Sequence, residues 1–210
     1  MQADFWHNLW ETNETGWHLD DTNPLLLEFF SQLQLEANSR IFIPLCGKTI
    51  DIKWLLNQGY KVVGAELNEN AIKELFSSLS LKPEIQKLGK LMLYTADNID
   101  IFVGDIFNLS KDLLGDIDAI YDRGALVALP QEMRIRYTSM IKSLADSKPQ
   151  LIITFEYDQS LLEGPPFSIT KSELEGHYKD QYSIKLLKSL SLKDGPFTEI
   201  GANENIWLLD

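Results

Sequence analysis

Apolar and polar positions change period along the chain, and the changes predict strands that alternate with helices. Helical spacing is clear where Ile72, Leu75, Phe76 and Leu79 fall at i, i+3, i+4 and i+7, and Asn68 precedes that helix as a candidate N-cap. Short apolar runs predict seven strands, over residues 40–45, 61–67, 99–104, 119–121, 151–155, 184–187 and 206–209.

This order of elements predicts the fold class. Strands separated by helices pair in parallel, because a parallel connection needs a long crossover. Continuous apolar runs indicate a sheet covered on both faces, and the last two strands lack a helix between them. We therefore predict an α/β fold with a doubly wound, mostly parallel, seven-stranded Rossmann-like sheet and an antiparallel edge strand. We expect one domain over residues 1–210.

The first 23 residues differ from the rest, because four large aromatic side chains lie among polar ones: Phe5, Trp6, Trp10 and Trp17. Asn23 and Pro24 then predict an N-cap with proline at the first helical position. Residues 1–23 are thus either a lid segment over a ligand or a hydrophobic cluster packed under the sheet.

Composition and net charge limit the classes of molecule that the protein can bind. The 210 residues carry a net charge of −12, which repels phosphate backbones and anionic lipid, so we expect no nucleic-acid or membrane partner. One cysteine precludes an internal disulfide. The N-terminus lacks a signal-peptide pattern, and no apolar run approaches the ~20 residues of a membrane span. We expect a cytoplasmic monomer that acts on a small molecule.

Candidate chemistry begins at the ends of the first two predicted strands. Glu66 ends the second strand and lies about 20 residues after Gly47 in sequence. At this separation, open α/β folds place an acidic side chain that accepts hydrogen bonds from a ribose diol. A solvated side chain at a strand end is the alternative. A loop with one glycine lacks the G-x-G-x-x-G pattern that a pyrophosphate needs. S-adenosylmethionine, a nucleoside without phosphates, suits this loop better.

Two other interpretations of this loop fail. Gly47-Lys48-Thr49 resembles the end of a Walker A loop, but Phe42 occupies the position where that motif needs glycine. Cys46 would need an adjacent histidine to act as a nucleophile, and a lone cysteine after an apolar strand is typical of a small buried side chain. The chain has three histidines, His7, His18 and His177, without metal-ligand spacing, so we predict no metal.

A second candidate site follows the fourth predicted strand. Arg123 lies at the same rim as Glu66 and would present a cation with planar donors to a ligand carboxylate or an anionic substrate. The alternative is a surface ion pair of little energetic value. The N-terminal tryptophans offer aromatic faces, which attract cations such as a sulfonium.

Several motifs together resemble the thiopurine S-methyltransferase family. They are WHNLW at 6–10, GWH at 16–18, FIPLCGK at 42–48 with Trp54, VGAE at 63–66, DRGAL at 122–126 and GPPF at 164–167. They follow that family's order across nearly the whole chain, and the short segment before Trp6 is similar to the bacterial members. The resemblance implies a methyltransferase sheet and S-adenosylmethionine-dependent S-methylation of aromatic and heterocyclic thiols such as thiopurines.

The resemblance also implies site residues. Cofactor contacts are expected at Trp10, Leu45, Glu66 and Arg123, with the adenine edge near Asp105 and Ile106. Trp17 and Arg123 are expected to contact substrate. Thiopurine sulfur ionises easily, so no catalytic residue is assigned.

One departure concerns the C-terminal part of the chain. Some family members use an arginine there near the substrate, and no arginine follows Arg136 in this sequence. Two alternatives stay open: methylation of selenium or tellurium species, and a protein that binds S-adenosylmethionine without turnover.

Overall fold

The first half of the chain forms a five-stranded sheet with helices. In this computed structural model, residues 3–193 and 196–210 are described, in two compact units, Met1–Ala119 and Ile120–Asp210. The first unit has helices α1 (Ala3–Glu11), α2 (Pro24–Phe29), α3 (Asp51–Asn57), α4 (Glu69–Ser78) and α5 (Lys111–Leu114). Its strands are β1 (Arg40–Pro44), β2 (Lys61–Glu66), β3 (Glu84–Leu88), β4 (Leu91–Ala96) and β5 (Ile99–Val103), in the order β3-β4-β5-β2-β1.

The second unit has a four-stranded sheet. Its strands are β6 (Ala119–Arg123, which starts at the unit boundary), β7 (Gln150–Glu156), β8 (Ile184–Ser191) and β9 (Asn203–Leu209), in the order β6-β7-β9-β8. Its helices are α6 (Gln131–Ala145), α7 (Lys171–Tyr178) and α8 (Pro196–Glu199).

Strand direction agrees with the sequence prediction at the centre of the fold. Strands β1, β2 and β5 pair in parallel, as do β6 and β7. Strand β9 pairs antiparallel with both β7 and β8, which confirms the antiparallel pairing predicted at the C-terminal end. Apart from its first residue, β2 is buried throughout, as the continuous apolar run predicts.

The prediction of seven strands is wrong, because the described residues contain nine. The two additional strands, β3 and β4, form an antiparallel hairpin in which Leu88 pairs with Leu91 across a two-residue turn. Gly89 begins that turn with φ +62°, a conformation that glycine adopts without steric cost. No residue of β3 is fully buried, so its sequence shows no buried face that predicts a strand.

The helix caps agree with the sequence prediction. Asn23 caps α2, and its side chain accepts hydrogen bonds from the N–H groups of Leu25 and Leu26. Asn68 caps α4 in the same way, through the N–H of Ala71. These caps satisfy donors that the first turn of a helix leaves without partners. No helix in the described part of the chain is long and apolar enough to cross a bilayer.

Candidate active site

Three parallel strand ends meet at one edge of the first sheet. Pro44 of β1 is in register with Ala65 of β2, and Glu66 of β2 is in register with Val103 of β5. The N–H of Gly104 donates to the Glu66 carbonyl at 2.8 Å. The segments after β1, β2 and β5 therefore start side by side, where open α/β sheets bind their ligands.

Glu66 is at the centre of this edge. Its side chain is buried, with Oε2 accepting the N–H of Gly47 and Oε1 accepting the N–H of Asn68, both at 2.8 Å. Burial raises the pKa of this carboxyl, and the two hydrogen bonds and the charge of His7 oppose that rise. A carboxylate oxygen can accept two hydrogen bonds, so each oxygen keeps acceptor capacity toward a ligand hydroxyl.

The loop after β1 adopts a left-handed conformation at two positions. Leu45 has φ +46° and Gly47 has φ +51°. Such a conformation disfavours a bulky side chain such as that of Leu45, and strain of this kind concentrates at binding sites. A Cβ on Gly47 would lie 3.1 Å from Cζ2 of Trp10, so the glycine permits the indole to lie against the loop.

Helix α1 brings the aromatic residues of the N-terminus together. The rings of Trp10 and Trp17 lie 5.7 Å apart edge to face, and those of Trp6 and Trp17 lie 5.4 Å apart. The ammonium of Lys48 lies 5.5 Å from the centre of a Trp10 ring, a cation–π contact. No residue of α1 is fully buried. Trp6, Trp10 and Trp17 are each half-buried, so the lid and the packed cluster both stay predictions.

Asn68 connects α1 to the Glu66 carboxylate. Its backbone N–H donates to Glu66, its Oδ1 accepts from Ala71, and its Nδ2 lies 3.2 Å from Nδ1 of His7. Because Oδ1 is engaged by the helix, the amide nitrogen faces Nδ1 of His7 and can donate to it in the tautomer that carries its proton on Nε2. Sequence reasoning identified Asn68 only as a cap, since the contact with α1 depends on the tertiary fold.

Asp105 and Ile106 follow β5 at the same edge. The Asp105 side chain is exposed and caps a short 3-10 helix by accepting the N–H of Phe107 at 3.0 Å. Ile106 is buried. The structure thus brings Trp10, Leu45, Glu66 and the 105–106 segment to one edge of the first sheet, and their contacts with the cofactor stay a prediction.

The donor and acceptor set at this edge fits S-adenosylmethionine. A carboxylate with remaining acceptor capacity suits a ribose diol, and one glycine turn without a phosphate-binding loop suits a nucleoside that carries no phosphate. The indole faces of Trp10 and Trp17 suit a positively charged sulfonium.

In the second unit, Asp122 and Arg123 end strand β6. Arg123 is half-buried, whereas Asp122 is only 1% exposed. One Asp122 oxygen accepts the Tyr137 hydroxyl at 2.6 Å, and the other accepts the N–H groups of Ala125 and Leu126. Burial raises the pKa of Asp122 to about 6, against these hydrogen bonds. Asp122 therefore holds the turn that follows Arg123 and is not placed to receive a substrate proton.

Cys46 is buried, which confirms its interpretation as a small interior side chain. Burial and the nearby Glu66 charge raise the pKa of its thiol well above the usual value. Within residues 3–193 and 196–210, no three His, Cys, Asp or Glu side chains are grouped to hold a metal ion.

Comparison with known proteins identifies the family. The model of the thiopurine S-methyltransferase family matches residues 1–205. The chain belongs to this family. It is 46% identical to a thiopurine S-methyltransferase of Teredinibacter turnerae, over 100% of this chain and 97% of that protein. It is 44% identical to the enzyme of the same name from Xanthobacter autotrophicus, over 100% of this chain and 99% of that protein. The sequence-based prediction of an S-adenosylmethionine-dependent S-methyltransferase is thereby confirmed.

Solved structures show the same fold at low sequence identity. The chain is similar to a Burkholderia thailandensis 1,6-didemethyltoxoflavin-N1-methyltransferase, with a TM-score of 0.67, 15% identity and coverage of 99% of this chain and 85% of that one. A methyltransferase from Anabaena variabilis gives a TM-score of 0.67 at 16% identity, with coverage of 99% and 94%. These neighbours confirm an α/β methyltransferase fold with a mostly parallel central sheet.

Proposed function

We propose that this member of the thiopurine S-methyltransferase family methylates sulfur on aromatic and heterocyclic thiols, thiopurines among them. The observation that carries the proposal is the buried Glu66 carboxylate, which two backbone N–H groups orient at the ends of β1 and β2. The names of the relatives support a thiol substrate.

Each site residue has a proposed role. Glu66 accepts hydrogen bonds from the ribose hydroxyls, and the 105–106 segment meets the adenine. Trp10 and Leu45 contact the cofactor from α1 and from the loop after β1. Arg123 offers planar donors to the cofactor carboxylate and to an anionic substrate, and Trp17 contacts the substrate ring.

Positioning is the main contribution of the protein in this proposal. S-adenosylmethionine supplies a methyl group on a sulfonium, whose positive charge makes the thioether a good leaving group. The side chains on α1 and the 45–47 loop hold both reactants in one orientation and exclude water. No side chain is assigned as a base, because aromatic thiols ionise near neutral pH and Asp122 is buried against Tyr137 and its own turn.

We propose that this enzyme acts in the cytoplasm as a monomer. We propose no nucleic-acid or membrane partner. The net charge of −12 supports the absence of such polyanionic partners.

A substrate screen tests the proposal directly. Purified protein is incubated with methyl-labelled S-adenosylmethionine and a panel of aromatic thiols, aliphatic thiols, selenols and tellurium oxyanions. Label transfer to aromatic and heterocyclic thiols at the highest kcat/KM is the expected result. Preferential transfer to selenium or tellurium species would replace the thiol assignment. Cofactor binding without any product would indicate a sensor.

A further inference from the structure

One face of the second sheet carries a cation, an anion and an aromatic ring near the carboxyl end of β7. Phe155 of β7 pairs with Glu204 of β9. Residues paired directly across an antiparallel ladder project from the same face. Arg123 of β6 pairs with Ile153, two residues before Phe155, and residues two apart on a strand share a face. Arg123, Phe155 and Glu204 therefore share one face.

Two more aromatic rings cover this end of the strand. Phe197 of α8 stacks on Phe155 with 5.5 Å between ring centres and 7° between ring planes. Tyr157 meets Phe197 edge to face at 6.3 Å, and its hydroxyl is fixed by the carbonyl of Pro166. Planar heterocycles bind well against such aromatic walls.

The Glu204 carboxylate is unusual on this face. It is half-buried, and no hydrogen bond from the described residues reaches it. Burial raises the pKa of Glu204, and the charge of Arg123 opposes the rise. A carboxylate removed from water without a donor costs free energy, so such groups concentrate at functional sites.

The opposite face of the same strands provides the contrast. There Glu156 accepts a hydrogen bond from Asn205 at 3.1 Å, and the indole N–H of Trp207 donates to Thr154 at 2.9 Å. Polar side chains on that face satisfy one another, whereas Glu204 shares its face with Phe155 and Arg123.

We propose that Glu204 selects thiols whose ring carries an N–H beside the sulfur-bearing carbon, by accepting a hydrogen bond from that N–H. The aromatic wall of Phe155, Tyr157 and Phe197 contacts the ring. This inference rests on the proposed S-methylation of aromatic and heterocyclic thiols. A carbocyclic thiol lacks the donor and leaves Glu204 without a partner, which selects against it.

The test compares two substrates of nearly equal size. Pyridine-2-thiol exists in water mainly as the neutral thione with a ring N–H, and thiophenol has no such donor. Methylation of the thione forms the new S–CH3 bond while the S–CH3 bond of the cofactor sulfonium breaks, and the S-methylated pyridinium then releases its ring N–H proton to water. Glu204→Gln removes the charge but keeps an acceptor oxygen, so it should raise the KM for pyridine-2-thiol by roughly 5- to 10-fold, the loss expected when a charge-assisted hydrogen bond becomes a neutral one. The KM for thiophenol should stay within about threefold, and kcat should change little for either thiol. Glu156→Gln, on the opposite face of the same sheet, is the matched control and should leave both substrates unaffected.

Equal losses for both thiols, or no loss for either, would overturn the role of Glu204. Glu204→Asp keeps the charge on a shorter side chain, and its KM for pyridine-2-thiol should lie between those of the wild type and Glu204→Gln. This variant still tests the proposal if Glu204→Gln does not fold. Calorimetric titration of both compounds in the presence of S-adenosylhomocysteine measures substrate binding without turnover. It therefore separates the selectivity of Glu204 from the proposed S-methylation activity. If the wild type methylates neither thiol, the proposed function fails. Weaker binding of pyridine-2-thiol by Glu204→Gln would still support the selectivity, and unchanged affinity or no binding would refute it.

Discussion

The Glu66 carboxylate accepts the backbone N–H of Gly47 at 2.8 Å across 19 residues of sequence. This hydrogen bond joins the end of β2 to the loop after β1. The side chain proposed to bind the ribose therefore also holds the loop that carries Leu45 and Gly47, so a change at Glu66 affects the ligand contact and the loop together.

Glu66→Ala should weaken the binding of S-adenosylhomocysteine by about 1.5–3 kcal/mol, the range for hydrogen bonds to a charged group. Isothermal titration calorimetry measures the difference. Glu84→Ala, at an exposed position on β3, is the control and should bind as tightly as the wild type. Equal affinity of Glu66→Ala and the wild type would remove Glu66 from the cofactor site.

The 1–23 segment is predicted to close as a lid when cofactor binds. Met1 and Gln2 lie outside the described residues, but α1 has no fully buried residue and contacts the site mainly through half-buried side chains such as Trp10. Elements with few buried contacts open at low free-energy cost. Amide hydrogen exchange over residues 5–18 should slow when S-adenosylhomocysteine is added, while exchange in the buried strand β1 stays constant. Full protection of α1 without ligand would contradict the lid.

Asp122 should make stability depend on pH in an unusual direction. Its pKa is raised from 3.8 to about 6, so the folded state holds a proton that the unfolded state has released between these values. The protonated Asp122 side chain therefore adds to the free energy of unfolding below pH ~4. This stabilisation, up to the order of 3 kcal/mol, is lost as the pH rises through ~6. Urea unfolding at several pH values should show this fall in the wild type relative to Asp122→Asn. Parallel curves for the two proteins would contradict the raised pKa.

The ionisation of the substrate, not of a protein group, should control the rate. In a series of ring-substituted thiophenols, the pH dependence of kcat/KM should follow the pKa of each thiol while the protein stays the same. A single apparent pKa for all thiols would instead indicate a protein base. His18→Gln would then be the first variant to measure, because Asp122 is buried and hydrogen-bonded.

Gly64 on β2 should tolerate no side chain. A Cβ there would lie 2.6 Å from Cδ1 of Ile101 and 2.8 Å from Sγ of Cys46, so Gly64→Ala should destabilise by about 1–3 kcal/mol. Gly176→Ala in α7 is the control, because no atom lies within 4 Å of its added Cβ, and it should stabilise by roughly 0.5–1 kcal/mol. Chemical denaturation measures both. An unchanged midpoint for Gly64→Ala would show that the core adapts.

Sequence reasoning predicted the grouping of Leu45, Gly47 and Glu66 at one sheet edge better than the contacts between segments far apart in sequence. The distance from Gly47 to Glu66 is local to one strand–helix–strand unit, so spacing alone indicates a ligand carboxylate. The contact of Asn68 with His7 and the pairing of Phe155 with Glu204 join segments far apart in sequence, and no local pattern specifies them. The β3–β4 hairpin was missed because β3 has no buried face, although the glycine in its turn was a usable signal.

The burial of Cys46 protects the enzyme from its own chemistry. A protein that binds sulfur nucleophiles beside a strong alkylating agent carries its single thiol between Leu45 and Gly47 of the loop after β1. A cysteine is alkylated as its thiolate, and the raised pKa keeps Cys46 as the neutral thiol while close packing against β2 denies it access. Self-inactivation by alkylation is thereby suppressed, and the single cysteine, being buried, is withheld from cross-linking to a second copy.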